Sequence, residues 1–297
     1  STVRTILDDG GIFYEPVTNV PQKSDLGLRP MSIAVYNGRG AGEDFSAPLL
    51  DVLKNGGFRY EFIDDKDIRS GKLGCFDTLL VPGSPDAGEC YYAGLGNLGF
   101  ANIRKFLAEK GQYLGICGGA YLPLTSYDAR NRYWLDIVEA TDTEGLDYWR
   151  TGSAFVSCRI DDNTHPIFSS IALGASSTMN LVYWEGPSIT IKGGGVRALA
   201  HFETLVATGR DPLKPNWDFH DNTMAKEAVC SWYNPLSQNI FDRLVANKCA
   251  FAEAKYHGNK ILLYSPHPEM GNIGYGPRKD SLNFLLIYNG LTYLSCK

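Results

Sequence analysis

The chain has 297 residues, of which 44% are hydrophobic and 12% aromatic, enough to bury the core of one large domain. Its formal net charge is -5 and its lysines and arginines are scattered, so it lacks the positive field that draws proteins to nucleic acid. No run approaches the roughly 20 apolar residues that a membrane-spanning helix needs. We therefore expect a globular protein with neither a nucleic-acid nor a membrane partner, and its oligomeric state stays open.

Seven cysteines are spread along the chain without a Cys-x-x-Cys pair, which argues against a zinc site and against a dense disulfide framework. An odd number leaves at least one thiol free, and no Asn-x-Ser/Thr glycosylation motif occurs. These features favour a reducing compartment, so we expect a cytoplasmic protein that uses no metal and no cofactor. A signal peptide removed from the mature chain would leave no trace, so secretion stays an alternative.

The first predicted region is an irregular N-terminal extension. Residues 1–30 contain Gly10-Gly11 and three prolines and show little hydrophobic periodicity. The main domain is therefore predicted to span residues 31–297.

From residue 31 onward, predicted strands and helices alternate. The strands are MSIAVY, FRYEFID, FDTLLVPG and QYLGI, and the longer helices are EDFSAPLLDVLKNGG and GFANIRKFLAEKG. Such alternation is typical of a parallel sheet covered by helices on both faces. The predicted fold class is therefore α/β with a mainly parallel sheet.

Between about residues 127 and 258 the pattern changes to short β-rich runs separated by Gly, Pro and Asn. These runs are AFVSCRI, NLVYWEG, VRALAHF and AVCSWY, and they predict an antiparallel insertion or extension. The parallel pattern returns in NKILLYSPHPE. The final run, RKDSLNFLLIYNGLTYLSC, predicts a buried and almost wholly apolar helix.

The predicted strand QYLGI ends in a cysteine between small residues. Gly115-Ile116-Cys117-Gly118-Gly119 has the small-x-nucleophile-x-small spacing of a nucleophile elbow, with Cys in place of Ser. Small residues allow the strained turn and the close approach of strand and helix. A helix beginning at Gly118 would direct its N-terminal N–H groups at the sulfur and favour the thiolate. The pattern predicts a nucleophilic Cys117, although an isolated cysteine is more often a packing residue.

A thiolate nucleophile requires a base, and the chain contains five histidines. His267 follows the apolar strand KILLYS, which places it at the carboxyl edge of the sheet, where Cys117 also lies. Glu269, two residues further on, would orient the imidazole and complete a Cys-His-Glu relay. His165 has Ile167 where the orienting acid would be, so we predict a structural turn there.

The third component of such a site is an oxyanion hole, made of backbone N–H groups beside the sulfur. Gly118 is predicted to supply one of them. Gly83 or Ser84, in the glycine turn VPGSPDAG at the end of the third strand, is predicted to supply another. The alternative for Gly83 is an ordinary turn, which is compatible with the same role.

Three motifs in chain order carry a resemblance. VPGS (81–84), GICGGAY (115–121) and HPE (267–269) resemble the class I glutamine amidotransferase-like superfamily. AVYNGRG (34–40), YWEGP (183–187) and the run from VPGSPDAG through GQYLGICGGAYL resemble more narrowly the amino-terminal domain of eukaryotic-type biotin-protein ligases and its stand-alone microbial relatives. The resemblance implies a Cys-His-Glu triad on a flavodoxin-like three-layer α/β/α sandwich with a β-rich insertion.

The chain departs from the superfamily pattern beside the predicted nucleophile. Glutaminases of the superfamily usually carry Gln four residues after the nucleophile, where this chain has Tyr121, so ordinary glutaminase activity is not expected. The resemblance places Tyr121, Tyr183, Trp184 and Glu185 in a possible substrate pocket, and packing is the alternative for each.

The sequence favours a cysteine-dependent amide hydrolase or amidotransferase-like protein acting on a small-molecule or peptide amide. A non-catalytic binding or regulatory module is the first alternative. Nucleotide binding through VYNGRGAGEDF with Asp64-Asp65 is a third, weakened because Glu43 replaces the third glycine of G-x-G-x-x-G. A metal site at His220 in DFHDN is also weak, since one local cluster supplies few ligands.

Overall fold

The computed structural model describes residues 31–41, 43–84, 87–125, 133–142, 151–171, 173, 177–207, 235–271 and 282–296. These residues belong to one compact unit, Met31–Lys297. The predicted N-terminal extension, the run AVCSWY and His220 lie outside the described residues. The extension and its boundary at residue 30 therefore stay predictions.

Within the described residues, eleven strands form one sheet. They are β1 (Ile33–Tyr36), β2 (Tyr60–Ile63), β3 (Thr78–Val81), β4 (Gln112–Ile116), β5 (Ala140–Asp142), β6 (Ser153–Ile160), β7 (Thr178–Trp184), β8 (Ile189–Ile191), β9 (Val196–Ala207), β10 (Cys249–Tyr256) and β11 (Asn259–Tyr264). Their order is β2-β1-β3-β4-β11-β10-β9-β6-β7, and β8 pairs with β10 and β5.

The first five strands of that order are parallel. Their order, β2-β1-β3-β4-β11, is that of flavodoxin-like sheets, in which ligands bind outside the carboxyl ends of the strands. Tyr264 of β11 lies opposite Ile116 of β4, so the residues that follow these two strands leave the sheet side by side. The predicted α/β class with a flavodoxin-like parallel sheet is confirmed.

The β-rich middle of the chain extends the same sheet. β10, β9, β6 and β7 continue it beyond β11 by antiparallel pairing. The far end of β7 also reaches the carboxyl end of β11, because the N–H of His267 donates to the carbonyl of Val182 at 2.8 Å. The antiparallel part therefore contributes residues to the edge where Cys117 and His267 lie.

Six α-helical segments are described: α1 (Glu43–Asn55), α2 (Asp65–Arg69), α3 (Glu89–Glu109), α4 (Gly118–Tyr121), α5 (Gln238–Ile240), which continues into a π-helical turn at Phe241–Val245, and α6 (Phe284–Ser295). Apolar residues of α1 and α6 pack on one face of the sheet. Apolar residues of α2 and α3 pack on the other, which gives the three layers. In the described part of the chain, no helix combines the length and apolar character needed to cross a membrane.

Helix α3 begins ten residues before the predicted helix GFANIRKFLAEKG. Gly96, with φ 56°, breaks it into two parts, and the second part corresponds to the prediction. Glycine lowers helix propensity by about 1 kcal/mol relative to Ala, so the glycine-rich first part carries a weak helical signal. Burial of Tyr91 and Leu95 against the sheet stabilises that part instead.

Candidate active site

Cys117 lies in the sharp turn between β4 and α4. Its backbone has φ 52° and ψ -111°, a conformation that a residue with a side chain seldom adopts. Strain of this kind persists only where the surrounding structure enforces it, and it is concentrated at functional sites. The structure thus gives the predicted nucleophile the backbone of a nucleophile elbow.

Close backbone contacts explain the glycines on both sides of Cys117. A Cβ built on Gly115 would lie 2.1 Å from the carbonyl oxygen of Gly119. A Cβ on Gly119 would lie 2.1 Å from the carbonyl oxygen of Val81 in the neighbouring strand. Since these obstacles are backbone atoms that cannot rotate away, only glycine fits at either position.

The helix that follows Cys117 is too short to have a strong dipole. α4 spans only Gly118–Tyr121. One turn aligns few peptide dipoles, so its macrodipole contributes little to the stability of a thiolate. That stabilisation depends mainly on the neighbouring side chains.

The elbow and the predicted oxyanion turn at residues 83–84 are in direct contact. The N–H of Gly119 donates to the carbonyl of Pro82 at 3.1 Å. A Cβ on Gly118 would lie 2.6 Å from the backbone nitrogen of Ser84, so these two residues are adjacent. The structure therefore brings Gly118 and Ser84 together, as a two-amide oxyanion hole requires.

His267 and Glu269 form a buried pair at the carboxyl end of β11. The Nδ1 atom of His267 lies 2.6 Å from Oε1 of Glu269, and the two residues are 0% and 1% exposed. The short helical turn Pro268–Met270 places them on one side of the chain. A carboxylate that accepts from Nδ1–H fixes the ring orientation and directs Nε2 away from Glu269.

The charges around His267 favour its protonated form. Burial alone would lower the pKa of its imidazole, but the charges and hydrogen bonds of Cys117 and Glu269 outweigh burial and raise the pKa to about 10. The predicted base therefore interacts with both other members of the predicted triad. An imidazolium beside a sulfur atom favours the thiolate, which is the reactive form.

This raised pKa predicts a specific dependence of stability on pH. The His267 pKa is about 10 in the folded chain, against an ordinary value of 6.5 for an exposed histidine, so its contribution to stability is fully present below pH 6.5. The contribution is lost as the pH rises from there through about 10. We expect Cys117→Ser to lower the His267 pKa in an NMR titration, because it removes the interaction with the sulfur that raises this pKa. Chemical denaturation between pH 6 and 11 should then show the loss completed at lower pH in the variant, and identical titrations of both proteins would contradict this.

Comparisons with known proteins agree with this architecture. No family model and no curated protein matches the chain. Among solved structures, PurLQS from Thermotoga maritima aligns with a TM-score of 0.54 and 13% identity, over 90% of this chain and 100% of that chain. A glutamine amidotransferase aligns with a TM-score of 0.51 and 14% identity, over 89% of this chain and 98% of that chain. A cytoplasmic protein from Salmonella typhimurium LT2 aligns with a TM-score of 0.51 and 13% identity, over 89% of this chain and 99% of that chain.

The chain has a glutamine amidotransferase-like fold. At this level of identity the likeness concerns the fold alone. The narrower resemblance to the biotin-protein ligase amino-terminal domain stays a prediction.

Within this amidotransferase-like fold, Tyr121 and Tyr183 are buried and hold the segment after β7. The hydroxyl of Tyr121 donates to the carbonyl of Glu185 at 3.2 Å. The hydroxyl of Tyr183 lies 2.6 Å from that of Thr151 and donates to the carbonyl of Gly186 at 2.9 Å. Burial raises the pKa of both phenols above their ordinary range. The protein itself therefore engages both hydroxyls, and the role of Tyr121 and Tyr183 in a substrate pocket stays a prediction.

The same segment covers the predicted nucleophile. The Sγ atom of Cys117 lies 3.3 Å from the carbonyl oxygen of Trp184, and Cys117 is only 4% exposed. Glu185, the next residue, has φ 54°, in the left-handed region. Trp184 is therefore brought to the site through its backbone carbonyl, which contacts the sulfur.

The other described histidines take no part in this site. Nδ1 of His165 accepts from the N–H of Ile167 at 3.3 Å and caps a helical turn, as predicted. Nδ1 of His201 lies 2.6 Å from Oδ2 of Asp161 in the antiparallel part of the sheet. His267 is thus the described histidine that interacts with Cys117.

The sites proposed as alternatives receive no support in the described residues. Asp64 caps α2 by accepting from the N–H of Asp67 at 2.8 Å. Asp65 pairs with Arg69 at 2.9 Å, so both carboxylates that a nucleotide ribose would need are engaged locally. No group of three His, Cys, Asp or Glu residues in the described ranges is arranged to hold a metal ion.

Two residues near the site have little sequence signal. Tyr91 is fully buried, and its hydroxyl donates to the carbonyl of Pro82 at 2.6 Å, which fixes the turn before Ser84. The glycine-rich sequence around Tyr91 gives no pattern that would predict this role. Ser265 is 0% exposed, and among the described residues its hydroxyl has no hydrogen-bond partner. The one available signal for Ser265 is a polar residue directly after the apolar strand KILLY.

Proposed function

We propose that the chain is a cysteine-dependent enzyme that hydrolyses an amide or transfers its acyl group. Cys117 is the nucleophile, His267 the base and Glu269 the residue that orients the base. The observation that carries the proposal is the strained elbow backbone of Cys117, with φ 52°, next to a buried His267–Glu269 pair at 2.6 Å. The glutamine amidotransferase-like fold supports the same reaction class by analogy.

The proposed reaction follows from the arrangement of these groups. The Cys117 thiolate attacks the amide carbonyl carbon, and the C=O π electrons move to the oxygen, which Gly118 and Ser84 or Gly83 stabilise through backbone N–H groups. The His267 imidazolium donates its proton to the departing amine as the C–N bond breaks, which leaves a thioester. Water or an amine then attacks the thioester, His267 accepts its proton, and the thiolate leaves.

The identity of residue 121 gives information about which substrate the site would bind. The buried ring of Tyr121 lies 5.8 Å from the ring of Trp134, at the position where the resemblance would place a glutamine-binding Gln. We therefore propose a small-molecule or peptide amide other than free glutamine. Six described cysteines are free thiols, which is typical of a reducing compartment and supports a cytoplasmic location.

A non-catalytic binding or regulatory module is the second candidate. The observation in its favour is the contact between the Cys117 sulfur and the Trp184 carbonyl oxygen, together with the 4% exposure of Cys117. A nucleophile that stays covered would not reach a substrate carbonyl. The two candidates therefore differ in whether Cys117 ever forms a covalent adduct.

Intact-protein mass spectrometry distinguishes the two candidates. The chain is incubated with the small-molecule fraction of a cell extract and, separately, with a panel of primary carboxamides and N-acyl amines that includes glutamine. The enzyme hypothesis predicts an acyl adduct on Cys117 that hydroxylamine releases, absent in Cys117→Ala, and no adduct from glutamine. The binding-module hypothesis predicts no adduct and iodoacetamide labelling of Cys117 no faster than that of the exposed Cys75 and Cys296.

A further inference from the structure

A short segment of the antiparallel part lies directly over the predicted nucleophile. We name residues 184–187 the strap. Its first residue, Trp184, places a carbonyl oxygen 3.3 Å from the Cys117 sulfur. An attacking sulfur has to come within about 3–3.5 Å of a substrate carbonyl carbon, so the strap carbonyl occupies the space that the substrate needs.

Glu185, in the middle of the strap, makes two long hydrogen bonds. The carbonyl of Glu185 accepts from the Tyr121 hydroxyl at 3.2 Å, and its N–H donates to Gly152 at 3.2 Å. Both distances lie at the long end of the usual range. Glu185 also has φ 54°, which strains a residue that carries a Cβ.

The two ends of the strap are fixed more firmly. Trp184, the last residue of β7, pairs with Ser153 of β6, but its carbonyl belongs to the peptide group that it shares with Glu185 and moves with that group. Beyond the strap, the N–H of Ser188 donates to Oδ1 of Asp142 at 2.7 Å. Lifting the centre breaks these two long hydrogen bonds and the 2.9 Å bond from the Tyr183 hydroxyl to the Gly186 carbonyl, and it relieves the backbone strain at Glu185, while the anchored ends stay in place.

Beneath the strap lies a hydroxyl that no described residue engages. Ser265 is 0% exposed, and its Oγ has no hydrogen-bond partner within the described part of the chain. A Cβ on Gly186 would lie 2.7 Å from that oxygen and 2.1 Å from the Ser265 carbonyl oxygen, so Gly186 closes over it. Ser265 follows Tyr264, whose carbonyl accepts from the Cys117 N–H at 2.8 Å, and it therefore lies beside the nucleophile. Buried hydroxyls nearly always have a partner, so this one is suited to a ligand.

We propose that the strap is a lid that lifts to admit the substrate to Cys117, and that the Ser265 hydroxyl beneath it hydrogen-bonds the polar group of the substrate amide. This inference rests on the proposed function and deepens it, because it defines how the substrate enters and one group that binds it. Closure of the strap keeps water and unrelated electrophiles from the thiol until the substrate is present.

Gly186→Ala tests the lid. The added Cβ cannot fit against the Ser265 carbonyl, so the strap is displaced and the open fraction rises. Labelling of Cys117 by iodoacetamide, followed by mass spectrometry, is expected to accelerate about tenfold, in proportion to that fraction. Gly194→Ala is the matched control, since a Cβ there meets nothing within 4 Å, and its rate should equal that of the wild type. If the rate of Cys117 labelling is unchanged in folded Gly186→Ala, the proposal that the strap is a lid is wrong.

Hydrogen exchange in the unaltered chain gives a second test that does not depend on a folded variant. The amide of Glu185 is expected to exchange at least about tenfold faster than the amides of β11, because lid opening requires no global unfolding. Tyr121→Phe, which removes one strap hydrogen bond, should raise the Glu185 rate further. Exchange of Glu185 as slow as that of β11 would contradict the proposal.

Two reagents separate the role of Ser265 from simple access. Iodoacetamide carries an amide, whereas methyl methanethiosulfonate does not. In the Gly186→Ala background, Ser265→Ala is expected to slow labelling by iodoacetamide about threefold or more, which is within the range for one hydrogen bond, and to leave labelling by the second reagent unchanged. Equal changes for both reagents would mean that Ser265 acts only through packing.

The same experiments distinguish failure of the lid from failure of the proposed function. Cys117 in Gly186→Ala could react faster than in the wild type but no faster than the exposed Cys75 and Cys296. That result would support the lid and contradict the proposal that Cys117 is an activated nucleophile. Cys117 of the wild type could instead react as fast as in Gly186→Ala and faster than these two exposed thiols. That result would support the activated nucleophile and contradict the lid.

Discussion

Replacement of His267 by Asn is expected to lower the rate constant for alkylation of Cys117 at pH 7 by about 100-fold, the scale of a positioned acid–base partner. The raised pKa of His267, about 10, keeps an imidazolium beside the sulfur at this pH. Asn can still donate to Glu269 from the position of Nδ1, but it carries no charge. The thiolate therefore loses its cationic neighbour while the buried carboxylate keeps a hydrogen bond. Stopped iodoacetamide reactions, digested and quantified for the Cys117 peptide, give the rate constant.

His257→Asn provides the matched control for this substitution. His257 is exposed in the turn between β10 and β11 and has φ 50°, a conformation that Asn tolerates well. Its replacement should leave both stability and alkylation unchanged. A fall of less than threefold in His267→Asn, with the fold intact by circular dichroism, would show that His267 does not activate the sulfur.

The elbow is the part of the site that local sequence predicts best. Gly115, Gly118 and Gly119 are required by contacts within a few residues of Cys117 or with the adjacent strand β3. Short-range steric requirements of this kind leave a visible pattern of small residues. The parallel sheet is also predicted from local patterns, because alternating strands and helices are typical of a parallel sheet covered on both faces.

The cover over Cys117 is not predictable from the same patterns. It depends on the backbone carbonyl of Trp184, a group that every residue possesses. It also depends on the bond between Val182 and His267, which joins residues far apart in the chain. Hydrophobic periodicity reports which face of a strand is buried, but it does not report which distant strand end closes over a site.

The helix after the elbow shows a second limit of local reasoning. A Gly-Gly start with apolar residues behind it predicts a helix whose dipole faces the sulfur, yet α4 ends at Tyr121. Pro123 has no N–H to donate to the carbonyl of Gly119, which accepts instead from the Tyr113 hydroxyl at 2.6 Å, and this accounts for the early end. The charge on His267 therefore takes the role that a long helix would otherwise share.

Gly119→Ala is expected to lower the free energy of unfolding by about 3 kcal/mol, at the upper end of the usual cost of overpacking. A Cβ at this position would lie 2.1 Å from the Val81 carbonyl oxygen and 2.8 Å from its carbonyl carbon. Relief requires β3 and the elbow to separate, which would also break the hydrogen bond from Gly119 to Pro82 at 3.1 Å. Urea denaturation followed by fluorescence measures the difference.

Gly74→Ala is the control, because a Cβ there meets nothing within 4 Å, and its unfolding free energy should stay within about 0.5 kcal/mol of the wild type. If Gly119→Ala is as stable as Gly74→Ala, then β3 can move away from the added Cβ without lowering the free energy of unfolding. Gly118→Ala separates stability from chemistry in the same region, since its Cβ would press on the backbone nitrogen of Ser84 at 2.6 Å. That variant should still react with iodoacetamide, which needs no oxyanion hole, while losing acyl-adduct formation, which does.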